Sequence, residues 1–124
     1  MVLKTTTRGK PVPCPVEITL EVIGGKYKPL LLYYLTEHTV LRFGELRRLV
    51  MNASKKMLTQ QLRQLETDGL VHRKVYHQVP PKVEYSLTVR GQSLHSVLHE
   101  MGSWGLRHAR HYRTTNRSAK PANR

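Results

Sequence analysis

The hydrophobic period of this chain changes near residue 70, from a helical repeat to a strict alternation. Residues 54–70, SKKMLTQQLRQLETDGL, place leucines at helical spacing and end on an Asp-Gly stop signal. Residues 82–87, KVEYSL, alternate apolar and polar side chains, as a half-buried strand does. An earlier run, LVHRKVYH, is separated from them by QVPP, whose adjacent prolines cannot donate ladder hydrogen bonds and therefore belong in a loop. The sequence predicts a helix followed directly by a β-hairpin.

Three shorter helices and one strand are predicted ahead of this unit. PVEITLEVI begins with a proline, which the first turn of a helix accepts, and Gly24-Gly25 ends it. KYKPLLLYYLTEH forms a second helix, TVLR a brief strand, and RFGELRRLV a third helix with its apolar residues on one face. The break MNA separates this third helix from the next one, which Ser54 is expected to cap.

A final helix is predicted from about Thr88 to His108, because apolar residues recur there at helical spacing. The whole order is helix, helix, short strand, helix, three-residue turn, helix, hairpin and long helix. Two helices joined by a short turn form the unit whose second helix enters the DNA major groove, and a hairpin directly after it is the wing of a winged helix. The predicted fold class is therefore α+β, mostly helical, with a winged helix-turn-helix.

The net charge is concentrated at the ends of the chain. The chain has 21 Lys and Arg against 8 Asp and Glu, so its formal charge is +13 and its pI is near 10.4. This excess predicts a polyanionic partner, either nucleic acid or an acidic membrane surface. Nine of the net charges lie in residues 1–16 and 107–124, which contain no acid. We expect one domain over residues 14–108, between a basic arm at 1–13 and a basic disordered tail at 109–124.

Signals for secretion and for membrane insertion are missing from the sequence. The first ten residues are polar and lack the apolar segment of a signal peptide. The longest apolar run, LLLYYL, is far shorter than the ~20 residues that a spanning helix needs. We therefore expect a cytoplasmic protein with no membrane partner.

The helix at 54–70 carries its charges in the order that its own macrodipole disfavours. Lys55, Lys56 and Arg63 come early, whereas Glu66 and Asp68 come last. A free helix gains ~0.3–1 kcal/mol per charge from the opposite order. A helix whose N-terminal half approaches DNA benefits from early bases, because phosphates and base edges lie beside them. A solvated face that happens to be basic is the alternative.

The candidate DNA contacts follow from residue type and position. Lys, Ser and Thr suit phosphates, whereas Gln and Arg suit bidentate contacts with base edges. On the helix, away from the leucines, the candidates are Ser54 and Lys55 for the backbone, and Lys56, Thr59, Gln60 and Arg63 for the major groove. Arg42, at the entry to the preceding helix, and His77 and Lys82, beside the hairpin tip, are candidates for further phosphates, with a solubilising role as the alternative.

Five segments of the sequence resemble the HxlR family of MarR-like bacterial transcriptional regulators. They are IGGKYKPLLLYYL, RFGELRRLV, SKKMLTQQLRQLETDGLVHRKVY, PPKVEYSLTVRG and MGSWG. The match runs in unbroken order from about Cys14 to Trp104, and the family's usual GKW appears here as Gly25-Lys26-Tyr27. The resemblance implies a sequence-specific regulator, more often a repressor, that binds double-stranded DNA at a roughly palindromic operator.

The resemblance also implies a homodimer whose interface is formed by the first and last helices. The predicted interface residues are Ile18, Leu94, Val97, Leu98, Met101 and Trp104. A ligand pocket is the alternative use of the apolar stripe on the last helix. The wing is expected to contact the flanking backbone or the minor groove.

Cys14 matches a position just ahead of the first helix where many family members carry a cysteine and some use it as a thiol switch. A thiol near a helix N-terminus is held more in its thiolate form, which reacts with oxidants and electrophiles. Because Cys14 is the only cysteine, an intrachain disulfide is excluded. The remaining routes are a bond to the partner's Cys14, a mixed disulfide with a small thiol, sulfenic acid, or alkylation by a quinone or aldehyde. The alternative is a small apolar side chain that packs the arm.

Other classes of function find little support. There is no nucleophile elbow, no HExxH motif and no phosphate-binding loop, so an enzyme is not expected. His95 and His99, and His108 and His111, have spacings that suit a metal, but no constellation of Cys or carboxylate ligands accompanies them. We therefore predict no metal and no cofactor. The rival hypothesis is a sequence-tolerant, architectural nucleic-acid-binding protein without a sensor.

Overall fold

The computed structural model describes residues 14–113, so the predicted arm at 1–13 and most of the predicted tail, 114–124, lie outside the described residues. Within that range the chain forms six helices and three strands. In chain order they are α1 (Pro15–Ile23), α2 (Lys28–His38), β1 (Val40–Arg42), α3 (Phe43–Leu49), α4 (Lys55–Thr67), β2 (Val71–Tyr76), β3 (Lys82–Leu87), α5 (Val89–Gln92) and α6 (His95–Tyr112). The predicted elements from α1 to β3 are confirmed, including the brief strand β1.

The prediction of one final helix from Thr88 to His108 is wrong. The chain forms two helices, α5 and α6, and α6 continues to Tyr112, so residues 109–112 are helical. The Thr88 Oγ1 atom accepts the Gly91 N–H at 3.0 Å and donates to the Gly69 carbonyl at 2.6 Å, which holds α5 against the end of α4. The two linking residues, Ser93 and Leu94, keep right-handed helical backbone angles, so the sequence period continues across the break.

The three strands form one antiparallel sheet in the order β1-β3-β2. Tyr85 lies in the central strand, paired with Leu41 of β1 on one side and with Arg73 of β2 on the other. Its side chain is buried. Pro80 and Pro81 lie between β2 and β3 and outside both strands, as their missing N–H groups require.

The core lies beneath α4 and fixes the direction that this helix faces. Leu58, Leu62 and Leu65 of α4 are fully buried, together with leucines of α2 and α3. Burying one leucine stabilises the fold by about 1.5–3 kcal/mol. The leucine face therefore holds α4 against the body, and its other face lies in solvent.

Candidate nucleic-acid interface

The turn between α3 and α4 is compact and tied to the body of the protein. The Val50 N–H donates to the Leu46 carbonyl at 2.8 Å and ends α3. Asn52 then adopts a positive φ of 72°, a left-handed conformation that Asn tolerates better than most residues. The Asn52 carbonyl accepts the Tyr27 hydroxyl at 3.3 Å, and Ala53 is buried. The two helices are therefore held in a fixed relation, as a helix-turn-helix requires.

Ser54 begins α4 as the sequence predicted. Its Oγ atom accepts the Met57 N–H at 3.0 Å, which satisfies one of the free donors at the helix start. The hydroxyl hydrogen remains available to a phosphate, because a serine can accept and donate at once. The first turn contains no acid, and Lys55 and Lys56 are both exposed there. This end of α4 is therefore positive through both its side chains and its dipole.

The exposed face of α4 contains most of the predicted base-reading residues. Lys56, Gln60 and Arg63 are exposed and, at roughly 100° per residue, lie on the side away from the leucines. Thr59 differs from the prediction in its surroundings. It is half-buried, and its hydroxyl donates to the Lys55 carbonyl at 2.8 Å, so its one hydrogen is already used.

The predicted phosphate contacts outside α4 lie on β1 and the hairpin. Arg42 is exposed at the end of β1, and its backbone N–H donates to Glu45 Oε1 at 2.8 Å. In the sheet it is paired with Glu84 of β3. The Lys82 Nζ atom lies 3.4 Å from Glu84 Oε2, so part of its charge is already balanced. His77 is exposed directly after β2. Arg42 and Lys82 therefore both lie close to one carboxylate.

Sequence reasoning missed Arg73. It is exposed on β2 and lines the same cleft as Arg63 of α4. The run VHRKVY contains three basic residues in a row, so the sequence does not show which of them faces the helix. Only the packing of α4 on β2 distinguishes Arg73 from its neighbours.

The residues predicted for the dimer interface divide into buried and exposed groups. Leu98 is buried within the protomer's own core, and Ile18 and Leu94 are half-buried. Val97, Met101 and Trp104 of α6 are 40%, 50% and 49% exposed.

Three further apolar side chains are exposed on the same two helices but were not predicted for the interface. They are Val16 and Leu20 of α1 and Leu106 of α6.

Cys14 is an exposed free thiol at the start of α1. Its carbonyl accepts the Glu17 N–H at 2.9 Å, while its side chain makes no capping hydrogen bond. The sulfur is therefore accessible to a reagent from solvent. Pro15 follows at the first helical position and fixes the backbone beside the thiol.

Neither a metal site nor a membrane helix is found in the part of the chain that the structure describes. Between residues 14 and 113, no three His, Cys, Asp or Glu side chains are grouped so that they could hold a metal ion. The rings of His95 and His99 lie 6.1 Å apart between centroids. In the same range, no helix is both long and apolar enough to cross a membrane.

The chain contains a helix-turn-helix whose second helix, α4, has basic residues on its exposed face, and the β2–β3 hairpin follows α4 directly. These features define the class of winged helix-turn-helix DNA-binding proteins. A family model described as HxlR-like helix-turn-helix matches residues 22–113, and the chain belongs to this family. The predicted HxlR family is thereby confirmed.

Similar proteins agree with this assignment. The uncharacterized HTH-type transcriptional regulator YybR of Bacillus subtilis (strain 168) is 55% identical over 92 residues, which are 74% of this chain and 73% of that protein. The redox regulator HypR in its oxidized form superposes with a TM-score of 0.71 at 55% identity, over 75% of this chain and 95% of that one.

A protein of Porphyromonas gingivalis W83 assigned to the MarR family of regulators gives a TM-score of 0.71 at 35% identity, over 75% of this chain and 90% of that one. The chain is therefore a DNA-binding transcriptional regulator and not an enzyme.

Proposed function

We propose that the protein acts in the cytoplasm as a homodimer that binds a roughly palindromic operator and represses transcription. The observation that carries this proposal is the charge of α4. Its first turn contains no acid, its exposed N-terminal half is basic, and its acids lie at the opposite end. This arrangement is unfavourable for a free helix and favourable for one whose N-terminal end lies against phosphates.

The residues of α4 and the wing divide between two kinds of contact. Side chains at the helix start, at the end of β1 and on the wing bind phosphates, and side chains along the exposed face of α4 meet base edges. The proposed phosphate contacts are Ser54, Lys55, Arg42, His77 and Lys82. The proposed base contacts are Lys56, Thr59, Gln60 and Arg63.

Dimer formation is supported by the apolar surface of the first and last helices. Val16 and Leu20 on α1 are 61% and 58% exposed, and Met101 and Trp104 on α6 are about half exposed. Exposed apolar side chains such as these favour burial against another protein surface. A second copy of the chain would cover them and would present two α4 helices to the two halves of a palindrome.

Control by thiol chemistry at Cys14 is the second part of the proposal. The sulfur is exposed at a helix start, and the similar protein HypR is named a redox regulator. An oxidant that accepts two electrons and two protons from two Cys14 thiols would join the protomers of a dimer by a disulfide. A mixed disulfide, sulfenic acid or an alkylated sulfur would change the same place without a cross-link.

Competition binding tests the regulatory function. A DNA duplex is first selected by the protein from a random-sequence pool, and its binding is then challenged with random duplex. We expect the selected duplex to be preferred by at least ~10³-fold. Equal competition by both duplexes would favour the sequence-tolerant, architectural alternative.

Substitutions on α4 separate the two kinds of contact. Arg63→Ala should relax the preference at one base position, whereas Lys55→Ala should weaken binding to all sequences alike. The readouts are repeated selection with each variant and the affinity of each for selected and random duplexes. An unchanged footprint and an unchanged preference in both variants would contradict the proposed assignment.

A further inference from the structure

A polar cleft of about 330 Å³ separates α4 from the hairpin. Leu62 of α4 and Tyr85 of β3, both buried, are the lining residues that belong to the core. The other lining residues are polar and come from both elements, namely Thr59, Arg63, Glu66 and Thr67 of α4 and Arg73 of β2. The cleft therefore has an apolar base between two polar sides.

In the described part of the chain, neither arginine of this cleft is paired with an acid. Within residues 14–113, neither the Arg63 nor the Arg73 side chain makes a hydrogen bond or an ion pair. Glu66 is the one acid among the lining residues, and it is not bonded to either guanidinium. Two positive charges beside one cleft repel each other, and an anion bound by one of them reduces that repulsion. A planar guanidinium offers paired donors that match the oxygens of a phosphate.

Strand alternation directs Arg73 to the helix side of the hairpin. Successive residues of a strand point to opposite faces, so Arg73 lies on the same face as Val71, which is buried. Because α4 packs against β2, this face is the one next to α4. Lys74, the next residue, lies on the opposite face, where its ammonium is 4.9 Å from the centre of the Tyr76 ring. Arg73 is therefore the basic residue of β2 that shares a cleft with the recognition helix.

We propose that this cleft binds one phosphate of the DNA backbone in each half-site, with Arg73 donating to it. The inference rests on the proposed function, because it places a phosphate beside the helix that enters the groove. A phosphate held between α4 and β2 fixes how deeply α4 lies, and so positions Arg63 at the base edges. Arg73 contributes affinity for every sequence, whereas Arg63 contributes preference.

Neutral phosphates test the contact directly. A duplex selected by the wild-type protein is prepared as a series in which one phosphate at a time is replaced by a methylphosphonate. In wild type, we expect one position in each half-site whose replacement weakens binding about tenfold. In Arg73→Gln that position should no longer matter, and binding to unmodified DNA should be weaker by a similar factor. The slope of log affinity against log salt should fall by about 1 per half-site.

Three further variants control for charge, for donor geometry and for folding. Arg90→Gln removes the same charge from α5, where Arg90 is exposed next to Gly69 at the far end of α4, and it should behave as wild type. Arg73→Lys keeps the charge but loses the paired donors, so it should restore the salt slope and only part of the affinity. If Arg73→Gln unfolds, Arg73→Met keeps the apolar stem of the side chain and serves in its place.

The outcomes separate the cleft from the proposed function. If wild type selects no sequence, the proposed function fails. If wild type selects a sequence but Arg73→Gln shows the same phosphate profile and salt slope, the cleft does not bind the backbone. A further experiment adds inorganic phosphate at constant ionic strength. If phosphate releases DNA from wild type but not from Arg73→Gln, the cleft holds a free anion, and this result would also overturn the inference.

Discussion

The Tyr76 hydroxyl donates a 2.9 Å hydrogen bond to Glu84 Oε1 across the hairpin. The Lys82 Nζ atom lies 3.4 Å from the other oxygen of the same carboxylate. The ammonium groups of Lys82 and Lys74 lie 4.6 Å and 4.9 Å from the centre of the Tyr76 ring. One acid and one aromatic ring therefore hold two cations near the tip of the wing. These contacts restrain the two lysine side chains, and the wing keeps a positive charge because one acid faces two cations.

The titration of Glu84 reports on this cluster. The hydrogen bond from Tyr76, followed by the charge of Lys82, holds the pKa of Glu84 below its ordinary value of 4.5. A carboxyl with a lowered folded-state pKa contributes stability above its ordinary pKa and loses it as the pH falls through the folded value. The wing cluster should therefore be intact at neutral pH and weaken below about pH 4.5. Tyr76→Phe should raise the pKa of Glu84, as measured by carbon-13 NMR of its carboxyl.

Tyr27→Phe is the control for this titration, because Tyr27 bonds to the Asn52 carbonyl and not to the wing. It should leave the Glu84 midpoint unchanged. Identical midpoints in wild type and Tyr76→Phe would show that the tyrosine does not hold the carboxylate.

Substitutions at Ser54 separate helix capping from DNA contact. Ser54→Ala loses the acceptor for the Met57 N–H and should lower the free energy of unfolding by about 1 kcal/mol. Ser54→Asp keeps an acceptor there, so its unfolding free energy should match or exceed that of wild type. Its negative charge would lie beside phosphate, so its DNA affinity should fall at least tenfold. Denaturant unfolding and DNA titration measure the two effects, and wild-type affinity in Ser54→Asp would place this helix end away from DNA.

Gly91 allows α5 to approach the end of α4. A Cβ atom there would overlap the Leu70 carbonyl oxygen and come within 3.2 Å of a Leu87 methyl group. Gly91→Ala should therefore lower the free energy of unfolding by about 1–3 kcal/mol, the usual effect of overpacking. Gly44→Ala on α3 is the matched control, since a Cβ there meets nothing nearer than an Arg48 nitrogen at 4.0 Å. Equal unfolding free energies for both variants would mean that α5 moves away at no cost.

The sequence predicted the elements with a clear period and missed the features that depend on packing. The α4 helix and the hairpin follow from leucine spacing and from alternation, and both are confirmed. The division of the last helix was missed because Ser93 and Leu94 keep helical backbone angles through the break. Arg73 was missed because the side of β2 that faces α4 is set by tertiary contact. Thr59 was predicted to contact the major groove, but its hydroxyl already donates to the Lys55 carbonyl of its own helix.

The apolar face of α6 predicts the effect of a buried charge on assembly. Met101 is 50% exposed in the protomer, so Met101→Glu should leave the fold of the protomer intact. If α6 forms the dimer interface, a carboxylate there is costly to desolvate, and the variant should be a monomer in sedimentation experiments. Its affinity for the selected duplex should fall at least 100-fold, because only one half-site is bound at a time.

Val89→Glu introduces the same charge on α5, where Val89 is 85% exposed, and serves as the control. It should sediment as wild type does. If Met101→Glu also keeps the wild-type mass, the dimer interface does not include this part of α6.

The last prediction concerns the thiol at the start of α1. Cys14 is exposed, and no second cysteine is present, so an oxidant acts either on one thiol or on two thiols of a dimer. Diamide takes two electrons and two protons from a pair of thiols, which leaves a disulfide and a hydrazine. If Cys14 is a sensor, diamide or a quinone should change the affinity for the selected duplex at least tenfold in wild type. Cys14→Ser, which replaces only the sulfur, should not respond.

The chemical form distinguishes the routes that remain open to this thiol. A covalent dimer on a non-reducing gel identifies a bond between two Cys14 residues, and dithiothreitol should restore both the monomer band and the original affinity. A mass increase on a monomer band identifies a mixed disulfide, a sulfenic acid or an alkylated sulfur instead, and the size of the increase distinguishes these three products. Because the thiol precedes the helix that carries Val16 and Leu20, either change would alter the apolar surface proposed for the dimer. Equal responses of wild type and Cys14→Ser to both reagents would rule out Cys14 as the sensor.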